Sequence, residues 1–82
     1  MASIPSPPRV VVYSSAGCGL CESALDVVRA VCGDAFAWVE IDGDAELEAR
    51  YRDSLPVVEI DGERAFTYFV DPEALRRRLD RP

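Results

Sequence analysis

The sequence contains no histidine and no lysine. Without imidazole the chain cannot run Cys–His or Ser–His–Asp catalysis, and it cannot bind zinc through histidine. All nine basic residues are arginine, set against fifteen acidic ones, for a net charge of −6. No basic stripe with interleaved aromatics is visible. Nucleic acid and anionic membrane surfaces are therefore not expected as partners, because phosphate neutralisation supplies most of such affinity. No apolar run approaches the ~20 residues of a membrane span. Residues 1–8 lack the apolar stretch of a signal peptide. Cysteine is scarce and odd in number, three residues in all, which argues against a secreted disulfide framework. The cytoplasm is the expected compartment. In such a reducing setting a close cysteine pair is more often catalytic or metal-binding than structural.

What is present fits one small domain. Eighty-two residues bury only a modest core, so a site should be shallow and near the surface. Residues 1–8 hold three prolines and read as a disordered tail. The domain is expected over residues 9–82.

Arg9 to Tyr13 carries three consecutive valines and predicts a central strand covered on both faces. A small-residue loop follows, and a helix opens near Cys18. Leu20, Ala24, Val27, Val28 and Val31 give that helix a wide apolar face, and Gly33 stops it. Phe36 to Ile41 predicts a second strand, and Asp44 caps a short helix over Ala45 to Arg52. Strands at Val57 to Ile60 and Arg64 to Tyr68 flank Asp61-Gly62, a strong two-residue hairpin signal. Asp71-Pro72-Glu73 then opens a last helix anchored by Leu75 and Leu79. The order is β-α-β-α-β-β-α, an α/β fold. The first βαβ unit makes parallel strands and the hairpin makes antiparallel ones, so the four-stranded sheet is mixed and flanked by helices.

The chemistry lies in Cys18-Gly19-Leu20-Cys21, where the first strand hands over to the first helix. A helix N-terminus carries unsatisfied amide donors and a partial positive charge. A thiolate placed there is stabilised. Cys18, first in the chain, is expected to be the exposed nucleophile. Cys21, one turn deeper, is placed to resolve a mixed disulfide. A metal or cluster site needs about four ligands. The chain supplies no second pair, so a metal would have to be shared between chains.

At these residues the sequence resembles the thioredoxin superfamily, and within it the small glutaredoxin-like proteins. The resemblance spans nearly everything after the tail. It is carried by the strand ending at Tyr13, by Cys18-Gly-Leu-Cys21, and by Leu55-Pro56-Val57 before the hairpin. It implies a thiol–disulfide oxidoreductase on a thioredoxin-like fold, with Cys18 and Cys21 as catalytic residues. It also implies a cis Pro56 facing the cysteines and Leu55 offering backbone groups to an extended substrate. Gly19 and Leu20 join them as substrate-binding positions. The partner would be a disulfide-containing protein or a small thiol, met by a monomer. No tightly bound cofactor and no metal are expected. Glutathione stays open as a co-substrate, with the departures weighing against it. Ser15 stands where glutaredoxins usually carry lysine. Gly19-Leu20 replaces their usual Pro-Tyr or Pro-Phe. Thr67 to Asp71 lacks their glycine pair. The alternative reading is a non-enzymatic thioredoxin-fold module that uses the same cleft for binding, or for an inter-chain metal or cluster.

The remaining features read as structural. Cys32 returns to nearly the face of Cys21 and is expected in the core. Trp38 alternates with Phe36 along a strand and is expected to pack in the core or under a helix. Arg76-Arg77-Arg78 suits the second half of a helix as a solvated face. The acidic Asp42-Gly43-Asp44 stretch lacks the full pattern of a calcium loop.

Overall fold

A computed structural model describes residues 8–80. The proline-rich tail expected at residues 1–8 lies, apart from Pro8, outside the described residues. The fold begins with the valine run. Strand β1 (Val10–Ser14) alternates strictly, with Val10, Val12 and Ser14 buried and Val11 and Tyr13 half-buried. It needs partners on both edges and has them. The sheet runs β2-β1-β3-β4, with β2 at Ala37–Glu40, β3 at Val57–Ile60 and β4 at Glu63–Thr67. β1 is parallel to β2 and antiparallel to β3, and β3 is antiparallel to β4. The sheet is mixed, as the βαβ unit and the hairpin require.

Helix α1 (Gly19–Cys32) makes the crossover from β1 to β2. Gly33 ends it in the left-handed region, at φ 61°, with its N–H donating to the Arg29 carbonyl at 2.8 Å. Most residues avoid that conformation because of their Cβ, and glycine has none. Helix α2 (Ala45–Tyr51) is capped by the Asp44 carboxylate, which accepts from the Glu46 and Leu47 amides at 3.1 Å. The α2 expectation ran on to Arg52. The helix instead tightens into a 3₁₀ turn over Arg52–Ser54, which delivers the chain to Leu55-Pro56. Helix α3 (Pro72–Leu79) starts on the Asp71 cap with proline in its first turn. At Asp61-Gly62 both residues have positive φ, 53° and 84°, as the tightest hairpin turn demands.

The sheet separates two apolar clusters. On one face Val10, Val12, Val58 and Ile60 meet Leu25 and Val28 of α1 and Leu75 of α3. On the other, Ile41, Val57 and Tyr51 pack with Tyr13, Leu47 and Leu55 beneath α2. Tyr13 and Tyr51 stack with ring centroids 4.1 Å apart. Each fully buried aliphatic side chain here contributes about 1.5–3 kcal/mol. Arg9 adds a polar tie. Its guanidinium makes two 3.0 Å bonds to the Asp61 carboxylate and a third to the Leu79 carbonyl.

Three expectations need correction. Trp38 is not core: it is 52% exposed. In the β1–β2 register it lies beside Val12, on the α1 face as the helix-facing half of the expectation has it, but it sits on the edge strand β2 and stays half exposed. Cys32 packs against the main cluster but stays half-buried, because it is the last residue of α1. Tyr68 is not in β4. The strand stops at Thr67, and Tyr68 turns to φ 66° with its amide donating to the Pro56 carbonyl at 3.0 Å.

Candidate active site

β1 ends at Ser14, and α1 begins at Gly19 after a four-residue loop. Gly17, at φ 76°, makes the turn. Cys18 is the N-cap of α1 in extended conformation, and its Sγ accepts the Cys21 N–H at 3.3 Å. A cap normally uses the oxygen of serine or aspartate to satisfy an orphan amide at the helix start. Here sulfur takes that position. Negative charge on it meets the positive end of the helix dipole.

Cys21 is buried and Cys18 is half-buried, and both are free thiols. The Cys21 thiol is pushed up to about 11. Burial is the main cause. The hydrogen bond with Cys18 adds to it, and the charges of Cys18 and Asp42 add less. A hydrogen bond from the Ser15 backbone opposes the rise. The two thiols are thus unlike. The half-buried one caps a helix, and the buried one holds its proton.

Asp42 fixes the loop between β1 and Cys18. It accepts the Ser15 hydroxyl and the Ala16 amide, each at 2.8 Å, and Arg52 approaches it at 3.4 Å. These bonds hold its carboxyl below the usual range, the Ala16 amide most of all. Asp42 can reach the loop because β1 and β2 are parallel, so their ends lie side by side. The Ile41 amide donates to the Ser14 carbonyl at 2.9 Å at that point.

Cys18 and Cys21 open into a pocket of about 200 Å³, lined also by Ser14, Trp38, Glu22 and Glu40. The Trp38 indole N–H donates to the Ser14 hydroxyl. The larger hollow of about 630 Å³ lies at the start of β1 against Cys32 and Leu79, away from the pair. Among the described residues no three Cys, Asp or Glu side chains converge as metal ligands. No helix among them is long and apolar enough to cross a membrane.

Residues 9–80 match the sequence model of the Glutaredoxin-like domain (DUF836). The chain belongs to this glutaredoxin-like family. Its fold is similar to the X-ray structure of protein XcR50 from X. campestris, with 32% identity and a TM-score of 0.76 over 89% of this chain and 97% of that one. It is also similar to protein Ne2328 from Nitrosomonas europaea, at 28% identity and TM-score 0.63 over 95% and 98% of the two chains. Oxidized glutaredoxin 2 from Chlamydomonas reinhardtii shares the fold, at 21% identity and TM-score 0.60 over 84% of this chain and 68% of that one. No curated protein matches in sequence.

In this glutaredoxin-like domain the sequence-predicted residues divide. Cys18 and Cys21 share the pocket, and Gly19 and Leu20 are exposed between them, Leu20 at 41%. The Leu55–Pro56 peptide is cis and Pro56 is buried. Tyr13 pairs with Val57, so Pro56 stands at the end of β1 where the cysteine loop starts. Neither Leu55 nor Pro56 lines the thiol pocket, and the Leu55 side chain packs into the cluster under α2. Two residues of the site were not foreseen as such. Asp42 is legible in retrospect as an acid just past a strand parallel to the one that feeds the cysteine loop. Trp38 carried a weaker signal, a single tryptophan two residues from a glutamate on a short strand.

Proposed function

We propose that this domain is a dithiol–disulfide oxidoreductase. The observation that carries the reading is the Cys18 sulfur capping α1 at 3.3 Å from the Cys21 amide, with the buried Cys21 thiol beside it. The Cys18 thiolate attacks one sulfur of a substrate disulfide. A Cys18–substrate disulfide forms, and the other substrate sulfur leaves as a thiolate that takes a proton from solvent. Cys21 then loses its proton and attacks the Cys18 sulfur. The Cys18–Cys21 disulfide forms and the second substrate thiolate leaves. Two electrons and two protons pass from the pair to the substrate, and the reverse sequence oxidises a dithiol. The substrate is a protein disulfide or a small disulfide, and a reducing compartment such as the cytoplasm would keep the pair charged.

The test is equilibration in glutathione buffers of graded potential, quenched and read by intact mass and peptide mapping. The expected result is a reversible Cys18–Cys21 disulfide with a potential between about −180 and −270 mV. Cys18→Ser should abolish turnover. A pair that stays reduced throughout, or a Cys18→Ser variant that keeps turning over, would sink the proposal and leave a binding module on a thioredoxin-like fold.

A further inference from the structure

The thiol pocket carries one sign of charge. Besides the cysteines it is lined by the carboxyl-bearing Glu22, at the start of α1, and Glu40, at the end of β2. No arginine lines it. Arg52, which bonds the Asp42 that supports the cysteine loop, is committed to Asp42 and Glu48. Arg50 and Arg64 lie over the Tyr51 ring, at 5.5 and 5.4 Å. Among the described residues neither Glu22 nor Glu40 is in an ion pair. Trp38 lines the same pocket, half exposed, with its N–H given to the buried Ser14. With that donor spent, the indole offers a ligand its apolar π-surface. A π-face sharing a pocket with two carboxylates outside any ion pair attracts a cation. It repels the carboxylates of an anionic disulfide such as glutathione disulfide.

We propose that Trp38, Glu22 and Glu40 make this pocket a selector for cationic disulfides. The substrate class is a disulfide whose neighbouring group is an ammonium or guanidinium, as beside a lysine or arginine in a protein. This rests on the exchange reading above. The cation sits against Trp38 and the glutamates, and the adjacent sulfur is presented to Cys18. Covalent steps are those already written, with the cation unchanged throughout.

Three small disulfides of similar size separate the readings: cystamine, a dication; 2-hydroxyethyl disulfide, which is neutral; and dithiodiglycolate, a dianion. Each rate of oxidation of the reduced protein is divided by that of dithiothreitol with the same disulfide, which removes intrinsic reactivity. The normalised rate should favour cystamine over dithiodiglycolate by about tenfold or more at low ionic strength, and salt should erode the preference. Glu22→Gln/Glu40→Gln should bring the ratio towards one, and Trp38→Leu should lower it. The ratio is internal to each variant, so a general loss of activity cancels. Equal normalised rates for all three disulfides would overturn charge selection and leave the exchange reading standing. So would a ratio that the double glutamine variant leaves unchanged. Absence of exchange with all three, the neutral one included, would overturn the exchange reading and this proposal with it.

Discussion

The buried Cys21 thiol sets a specific expectation for the resolving step. With its proton held up to about 11, about 10⁻⁴ of Cys21 is thiolate at pH 7, against about 10⁻² for a thiol at the ordinary 9.0. A more basic thiolate is also a better nucleophile. With a Brønsted slope of about 0.5, two decades of basicity return about one decade of rate. The net effect is resolution slowed by at most about tenfold at pH 7 relative to a free thiol in the same geometry. Once Cys18 is in a mixed disulfide, its own hydrogen bond and charge no longer raise Cys21, but burial, the largest cause, persists. The rate should therefore climb about tenfold per pH unit from pH 6 and still be rising above pH 9. The assay is a pH jump. Cys18 is loaded at pH 4 with a neutral alkyl methanethiosulfonate, which transfers its thioalkyl group to the sulfur and releases sulfinate, in a Cys32→Ala background. The pH is raised, samples are quenched with acid, and loss of the adduct is followed by intact mass. A profile that bends at or below pH 9 would refute the reasoning, because it would place Cys21 no higher than the ordinary 9.0.

Other expectations follow from the same geometry. Asp42→Ala should slow exchange about tenfold by loosening the cysteine loop. The Ala16 amide should lose protection in hydrogen exchange, and Asp42→Asn, which keeps one acceptor, should restore part of both. Leu75 is fully buried between α3 and the sheet, so Leu75→Ala should cost about 2–5 kcal/mol in urea unfolding. Cys21, Cys32 and Tyr51 all have their proton affinities raised by folding, burial being the first cause for each. The folded chain then binds more protons than the unfolded one, so stability should fall as pH rises above about 9. Asp42 and Asp61 are held down, chiefly by the Ala16 amide and by Arg9. Their contribution is complete above the ordinary carboxylate range and should be lost as pH drops through their lowered values. Denaturation midpoints measured from pH 2 to 11 check both signs.

The fold was legible wherever a local rule coincided with the tertiary solution. Three valines in a row marked the central strand, Gly33 and Asp71 marked helix ends, and Asp61-Gly62 marked the hairpin. Cys18 was legible because strand-to-helix position and spacing together define a helix-start thiol. Trp38 was misread because alternation reports which face a residue takes, while exposure depends on how far a helix extends over that face. Asp42 was passed over for a related reason. Its role depends on two parallel strand ends, 26 residues apart in sequence at Ala16 and Asp42, standing side by side. The half-burial of Cys32 likewise depends on where a helix end meets the edge of a cluster, which periodicity does not encode.

The Arg9 guanidinium joins residues 70 apart, the start of β1 and the last turn of α3. The thiols lie past the other end of that same strand. Both described ends of the chain thus gather at one pole and the reactive pair looks out from the opposite one. A spin label or a surface tether attached at residue 9 or 80 would leave the pocket facing solution. Residues 9 and 80 are near enough for a short linker to close the chain into a ring or to support a circular permutant, with the helix-capping sulfur undisturbed.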